Sequence, residues 1–157
     1  TSACDLPLLP LPPLPHDQRL CRDSILEFAE RDIRPRVREM DEQAHMPRAL
    51  VDQLFELGIM GIEIPEAFGG VGASFFHAVL AVEVLAQVDP SVSVLVDVQN
   101  TLVVNALLRW ASDTQKQQYL PRLASRAVGA YALSEAGSGS DAFALATRAT
   151  RAGEDWV

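Results

Sequence analysis

Between Asp89 and Trp110 the chain writes one long helix whose apolar residues run nearly all the way round it. Asp89-Pro90 supplies an N-cap followed by a proline suited to the first helical position. Val92, Leu95, Val96, Val98, Leu102, Val103, Ala106 and Leu107 then leave little polar surface. Such a helix has to be covered on several sides, so it predicts burial inside a larger assembly of helices. Asp97, Gln99, Asn100 and Asn105 interrupt the run, which predicts no apolar span of the ~20 residues that a bilayer requires.

The helices that could cover it are legible upstream and downstream. From Asp17, residues Cys21, Ile25, Phe28, Ala29 and Ile33 recur at three- and four-residue steps. Pro35 must kink or end that helix, because it removes a donor and crowds the preceding turn; one or two further turns reach about Glu42. Pro47 begins a second helix carrying Leu50, Val51, Leu54 and Phe55, and Gly58 stops it. Residues 61–72 read as a loop punctuated by Pro65, Gly69, Gly70 and Gly72. A third helix runs from about Ser74 to Val88, and the apolar helix is the fourth. Ser112 with Gln115 is a capping box that starts a short fifth helix, with Pro121 in or just after it.

After Arg126 the pattern changes. Residues 128–133 read as a buried strand, 137–140 as a Gly/Ser loop, 144–151 as an alternating strand, 152–155 as a turn, and Trp156-Val157 as the start of another strand. The predicted fold is mainly α. An N-terminal helical domain of about five helices, residues 16–126, precedes the truncated start of a β-barrel-like middle domain, 127–157. Thr1 to Pro15 is a Pro-rich arm or a processing remnant. It has no basic region and no uninterrupted apolar region, so it does not read as a signal peptide.

Charge and metal chemistry narrow the function. Lys+Arg total 13 against Asp+Glu 21, a net charge of −8, and Lys116 is the only lysine. A general phosphate-binding face for nucleic acid is therefore not expected, since such affinity rests on clustered cations. His16, His45 and His77 lack the spacing of a helical zinc pair, so no metal site is assigned. His77 reads as a packing or capping residue and Cys21 as a small core residue. Two cysteines, Cys4 and Cys21, fit a reducing compartment.

The segment Tyr131-Ala132-Leu133-Ser134-Glu135-Ala136-Gly137-Ser138-Gly139-Ser140-Asp141 feeds a strand into glycines and hydroxyls. Small residues let backbone N–H groups approach an anion closely, and serines add donors without bulk. That arrangement holds a pyrophosphate where cationic side chains are scarce; equally, it makes a flexible linker. It is neither the G-x-G-x-x-G dinucleotide fingerprint nor a Walker loop.

These residues resemble the flavin-binding signature of the acyl-CoA dehydrogenase family. Two further stretches resemble that family in the same order. Pro65-Glu66-Ala67-Phe68-Gly69-Gly70-Val71-Gly72 is similar to its Pro-Glu-x-x-Gly-Gly-x-Gly turn. Gln115-Lys116-Gln117-Gln118-Tyr119-Leu120-Pro121 is similar to the stretch that ends its helical domain. Ser134-Glu135-Ala136, Gly72-Ala73-Ser74-Phe75 and Gln99-Asn100-Thr101-Leu102 look most like the short/branched-chain-specific branch.

The resemblance implies FAD as cofactor and α,β-dehydrogenation of an acyl-CoA thioester. A glutamate would take the α-proton, the β-hydrogen would leave as hydride to the flavin, and electrons would pass to electron-transferring flavoprotein. By position, Tyr131, Ala132, Leu133, Ser134, Glu135, Ala136, Gly137, Ser138, Gly139 and Ser140 would border FAD. Ser134 would donate to the pyrimidine edge of the ring, and Ser140 would also contact the acyl-CoA. Glu135 is expected to be a structural hydrogen-bond partner rather than a base. No catalytic residue is assigned, because the family's glutamate belongs to a later helical domain, so these residues alone are expected to be inactive. A homotetramer of the full-length protein and a mitochondrial matrix location are further implications. A non-catalytic helical module acting by association, and an acyl-CoA oxidase-like relative, are the alternative readings.

Overall fold

The computed structural model describes residues 13–157, so of the Pro-rich arm only Pro13–Pro15 is included and the rest lies outside the described residues. Among them, seven α segments joined by tight turns form five rods: α1 His16–Phe28 continuing into α2 Val37–Gln43, then α3 Arg48–Glu56, α4 Phe75–Ala86, α5 Pro90–Asp97 continuing into α6 Asn105–Trp110, and α7 Asp113–Ser125. The fold is mainly α, as the sequence predicts.

Each boundary has a local cause. Before Pro35 the helix widens into a π turn, Ala29–Ile33, and then tightens into a 3-10 turn, Arg34–Arg36. That change of winding accommodates a residue with no N–H before α2 begins. Ala44 closes α2 in the left-handed region at φ 48°. Asp89 caps α5 by accepting from the N–H groups of Ser91 at 2.7 Å and Val92 at 3.0 Å. The Ser112–Gln115 capping box forms reciprocally, and α7 carries Pro121 inside it.

Two apolar clusters hold the rods together. The larger joins Ile25, Phe28 and Ile33 to Leu50 and Leu54 of α3, Leu85 of α4, and Val92 and Val96 of α5. The smaller sets Ile64 against Val104, Leu120, Leu123 and Ala124. Gly61 lets α7 pass close by, since a Cβ there would lie 3.2 Å from Ala124 Cα.

The central rod departs from the sequence reading in three ways. It is covered on one side only: Val92, Val96 and Val104 are buried, whereas Val94 and Leu102 are 58% and 41% exposed. It also winds as a π-helix over Val98–Val104. By length and composition alone, Pro90–Trp110 is long and apolar enough to cross a membrane, with a mean hydropathy of 1.4 over its most apolar window. Its polar residues therefore do not break the run as expected. Gln99, Asn100 and Asn105 bond neighbouring segments of the helical body, and Asp97 accepts from Thr101 of the same rod.

The β reading of the tail is corrected in part. Residues 128–133 form no strand ladder among the described residues, and Tyr131 and Leu133 are 48% and 44% exposed. A strand needs a backbone neighbour to satisfy its N–H and C=O groups, and none among the described residues pairs with this segment. Of the expected strand 144–151, Ala144 falls in a 3-10 turn and only Arg151 lies in a ladder among the described residues. The ladder that does form is a hairpin, Arg151–Ala152 antiparallel to Asp155–Trp156, turned by Gly153 at φ 68°.

Candidate cofactor-binding site

The site is built outward from Gln99, one of two adjacent carboxamides in the π segment. Gln99 and Asn100 are both fully buried, at 0% exposure. Asn100 Nδ2 donates to the carbonyls of Ile59 at 2.8 Å and Val96 at 2.9 Å, and its Oδ1 accepts from Ile62 N at 3.0 Å. Gln99 Nε2 donates to the carbonyls of Leu123 and Ala127, both at 3.0 Å, and its Oε1 accepts from Gly129 N at 2.7 Å. Buried carboxamides satisfied this fully lock the segments they join. Asn100 holds the turn after α3, and Gln99 holds the end of α7 and the start of the tail.

From that anchor the chain runs into the Gly/Ser segment. The backbone N–H groups of Tyr131, Ala132, Leu133, Ser134, Ala136, Gly137, Gly139 and Ser140 make no hydrogen bond among the described residues, nor do the hydroxyls of Ser134 and Ser140. Only Glu135 and Ser138 are tied in. Glu135 N donates to Ser138 O at 2.9 Å and Ser138 N to Glu135 O at 3.1 Å. Ser138 is buried, and its hydroxyl donates to Asp141 O at 2.7 Å. A Cβ at Gly137 or Gly139 would meet nothing within 4 Å, so both backbones are open to approach.

Glu135 has a structural part. Its carboxylate accepts from Ala146 N at 2.8 Å and Thr147 N at 3.1 Å. A side-chain hydrogen bond with Thr147, then these two N–H groups, holds its carboxyl below the usual glutamate value of 4.5. The carboxylate thus staples the start of the Gly/Ser loop to the segment that leaves it. His77 likewise has structural partners: its Nδ1 lies 2.9 Å from Ser74 Oγ, at the start of α4, and its Nε2 is 3.7 Å from Asp17.

The residue types fit a flavin dinucleotide. Unengaged N–H groups, serine hydroxyls and open glycines are donors for a pyrophosphate and for the electron-rich edge of a ring. An apolar hollow of about 440 Å³, lined among others by Val103, Leu107, Tyr119, Leu123, Ala130 and Tyr131, adjoins the segment. From the sequence, Gln99 counts as an interruption in an apolar helix and as part of the family resemblance, and its role in holding the tail is missed. The signal was present, because two consecutive carboxamides inside such a helix need buried partners.

The remaining two motifs sit close together. The Pro65–Gly72 turn returns on itself, with Val71 N donating to Gly61 O at 3.1 Å and Gly72 N to Ile64 O at 2.9 Å. Leu120 of the Gln-Lys-x-x-Tyr-Leu-Pro stretch shares the smaller core with Ile64, and Phe68 packs on it. Residues 15–127 match the sequence profile of the acyl-CoA dehydrogenase N-terminal domain. The chain belongs to the acyl-CoA dehydrogenase family.

Among curated acyl-CoA dehydrogenases, a probable short/branched chain specific enzyme of Dictyostelium discoideum is 46% identical over 142 residues, covering 90% of this chain and 34% of that relative. The mitochondrial short/branched chain specific enzyme of Bos taurus is 40% identical over 151 residues, covering 96% of this chain and 35% of the relative. The chain thus spans about a third of the length of the curated relatives it matches. Among solved structures, a glutaryl-CoA dehydrogenase from Mycobacterium smegmatis in complex with FADH2 superposes with a TM-score of 0.85 at 31% identity, covering 91% of this chain and 37% of that one.

Proposed function

We propose that the whole protein catalyses FAD-dependent α,β-dehydrogenation of short/branched-chain acyl-CoA thioesters. In this reading residues 16–126 are its N-terminal helical domain, residues 127–157 open its middle β domain, and residues 1–15 precede both as an arm. The observation that carries it is the set of donors between Tyr131 and Ser140, apart from those of Glu135 and Ser138, that are unengaged among the described residues, on a segment anchored to the helical body through Gln99. The similarity to short/branched chain specific relatives supports the substrate class.

When bound, FAD supplies the acceptor for the β-hydrogen that leaves as hydride. The chain's own residues bind and orient. Ser134 offers its hydroxyl and N–H to the pyrimidine edge of the ring, where donors favour the charge that reduction creates. Gly137, Gly139 and Ser140 offer backbone and hydroxyl donors to the pyrophosphate, and Ser140 also reaches the acyl-CoA. The uncovered face of the central rod, Val94, Val98, Thr101 and Leu102, walls the acyl chain, with β-branched residues limiting its shape. No base is assigned among these residues. Electron-transferring flavoprotein as acceptor, a homotetramer and a mitochondrial matrix location complete the reading.

The test is the absorption spectrum of the purified protein, followed by bleaching with a branched acyl-CoA and by a comparison of electron-transferring flavoprotein with oxygen as acceptor. A second reading, a helical module acting by association, is favoured by Trp110, Phe143 and Trp156, which are 85%, 102% and 69% exposed. Protein that carries no flavin and gains none on incubation with FAD would leave that second reading ahead.

A further inference from the structure

We infer that Gln99 is a positioning residue: its carboxamide stands in for a neighbouring β-strand and fixes the point from which the flavin-bordering segment departs. The inference rests on the flavin reading of residues 131–140. In a parallel β ladder, one residue of the partner strand engages, through its own N–H and C=O, the C=O of one residue and the N–H of the residue two further on. The Gln99 carboxamide does the same, donating to Ala127 O at 3.0 Å and accepting from Gly129 N at 2.7 Å. The segment thereby gets from a side chain the pairing that it lacks from a strand.

Three features make this a positioning device rather than a generic core contact. The second N–H of Gln99 is spent on Leu123 O at 3.0 Å, which leaves the carboxamide no freedom to rotate. Val103, one helical turn along the same rod, lies close against Gly129, since a Cβ there would fall 2.4 Å from Val103 Cγ1. Among the described residues, no backbone N–H beyond Gly129 is bonded until Glu135. Gly129 is therefore the last residue tied to the helical body, two positions before Tyr131. A rotation there moves every donor from Tyr131 to Ser134. Gln99 sits on the π segment, and such a widened turn is frequent where a helix must aim a side chain at a functional site.

The experiment compares Gln99→Met and Gln99→Asn with Asn100→Ala, which removes an equally buried neighbour that holds residues 59–62 instead. Three quantities are read on the 157-residue chain: the exchange rate of the Gly129 amide, NMR order parameters of residues 130–134, and the FAD dissociation constant per folded molecule, with the folded fraction taken from circular dichroism. The Gln99 variants should speed Gly129 exchange at least tenfold, lower the order parameters, and weaken FAD at least tenfold. Asn100→Ala should lower stability and leave the FAD constant per folded molecule within twofold. Gln99→Asn keeps a carboxamide that is one methylene too short, so it serves if Gln99→Met fails to fold. Unchanged exchange and order, or a changed order with FAD affinity within twofold, overturns the inference. A parent chain that binds no FAD sinks the flavin reading instead, while exchange and order still decide whether Gln99 positions the segment.

Discussion

Gly129 lies so close to Val103 that a Cβ on the glycine would fall 2.4 Å from Val103 Cγ1 and 2.9 Å from its Cγ2. The absence of a side chain at residue 129 is what lets the tail lie on the central rod within reach of Gln99. Gly129→Ala should destabilise the chain by about 1–3 kcal/mol, the usual range for overpacking a well-packed contact. Val103→Ala in the same chain should return part of that loss. A double-mutant cycle in urea checks the coupling, and strictly additive effects would rule the contact out.

Asn100 should be a costlier loss than its single side chain suggests. Asn100→Ala strands Ile62 N and Ile59 O in a buried place. Unsatisfied buried groups cost about 1–3 kcal/mol each, without adding fully, so a loss of about 2–4 kcal/mol is expected. Denaturant unfolding followed by circular dichroism measures it.

The neighbouring glycines of the Pro65–Gly72 turn should differ sharply. A Cβ at Gly70 would lie 2.1 Å from Ile64 O, a backbone atom that cannot swing away, whereas one at Gly69 would meet nothing within 4 Å. Gly69 has φ 81°, so Gly69→Ala should cost about 1–2 kcal/mol through left-handed strain alone. Gly70→Ala should cost more than that and shift the turn. Comparing the two melting temperatures tests the order.

Acid should loosen the Gly/Ser loop through Glu135. Its folded carboxyl titrates below the usual 4.5, because hydrogen bonds from Thr147 and Ala146 favour the ionised form. Its contribution is therefore fully present above pH 4.5 and is lost as pH falls through the lower folded value. The amide shifts of Ala146 and Thr147 should titrate in that acidic window in the parent chain, and Glu135→Gln should flatten both curves. Curves that stay unchanged in the variant would remove Glu135 as the cause.

Much of the helical part was legible because its signals are local. The Asp89 cap, the Ser112–Gln115 box, the left-handed Gly58 and the kink at Pro35 each depend on residues within a few positions. The tail was less legible. Residues 128–133 carry strand-like composition, but a strand is a relation between two segments, and composition names only one of them.

The sequence alone determined which stretches are helical, where they stop, and that the chain resembles the acyl-CoA dehydrogenases, since caps, turns and apolar periodicity act over a few residues. Tertiary structure decided what Gln99 and Asn100 do, which side of the central rod stays open, and where the Gly/Ser segment leaves the helical body. Those outcomes depend on groups 24 to 41 positions apart, such as Gln99 with Leu123 O and Asn100 with Ile59 O. The partner of a buried carboxamide is chosen by packing: the requirement for one can be read from the helix, and its identity only from the fold.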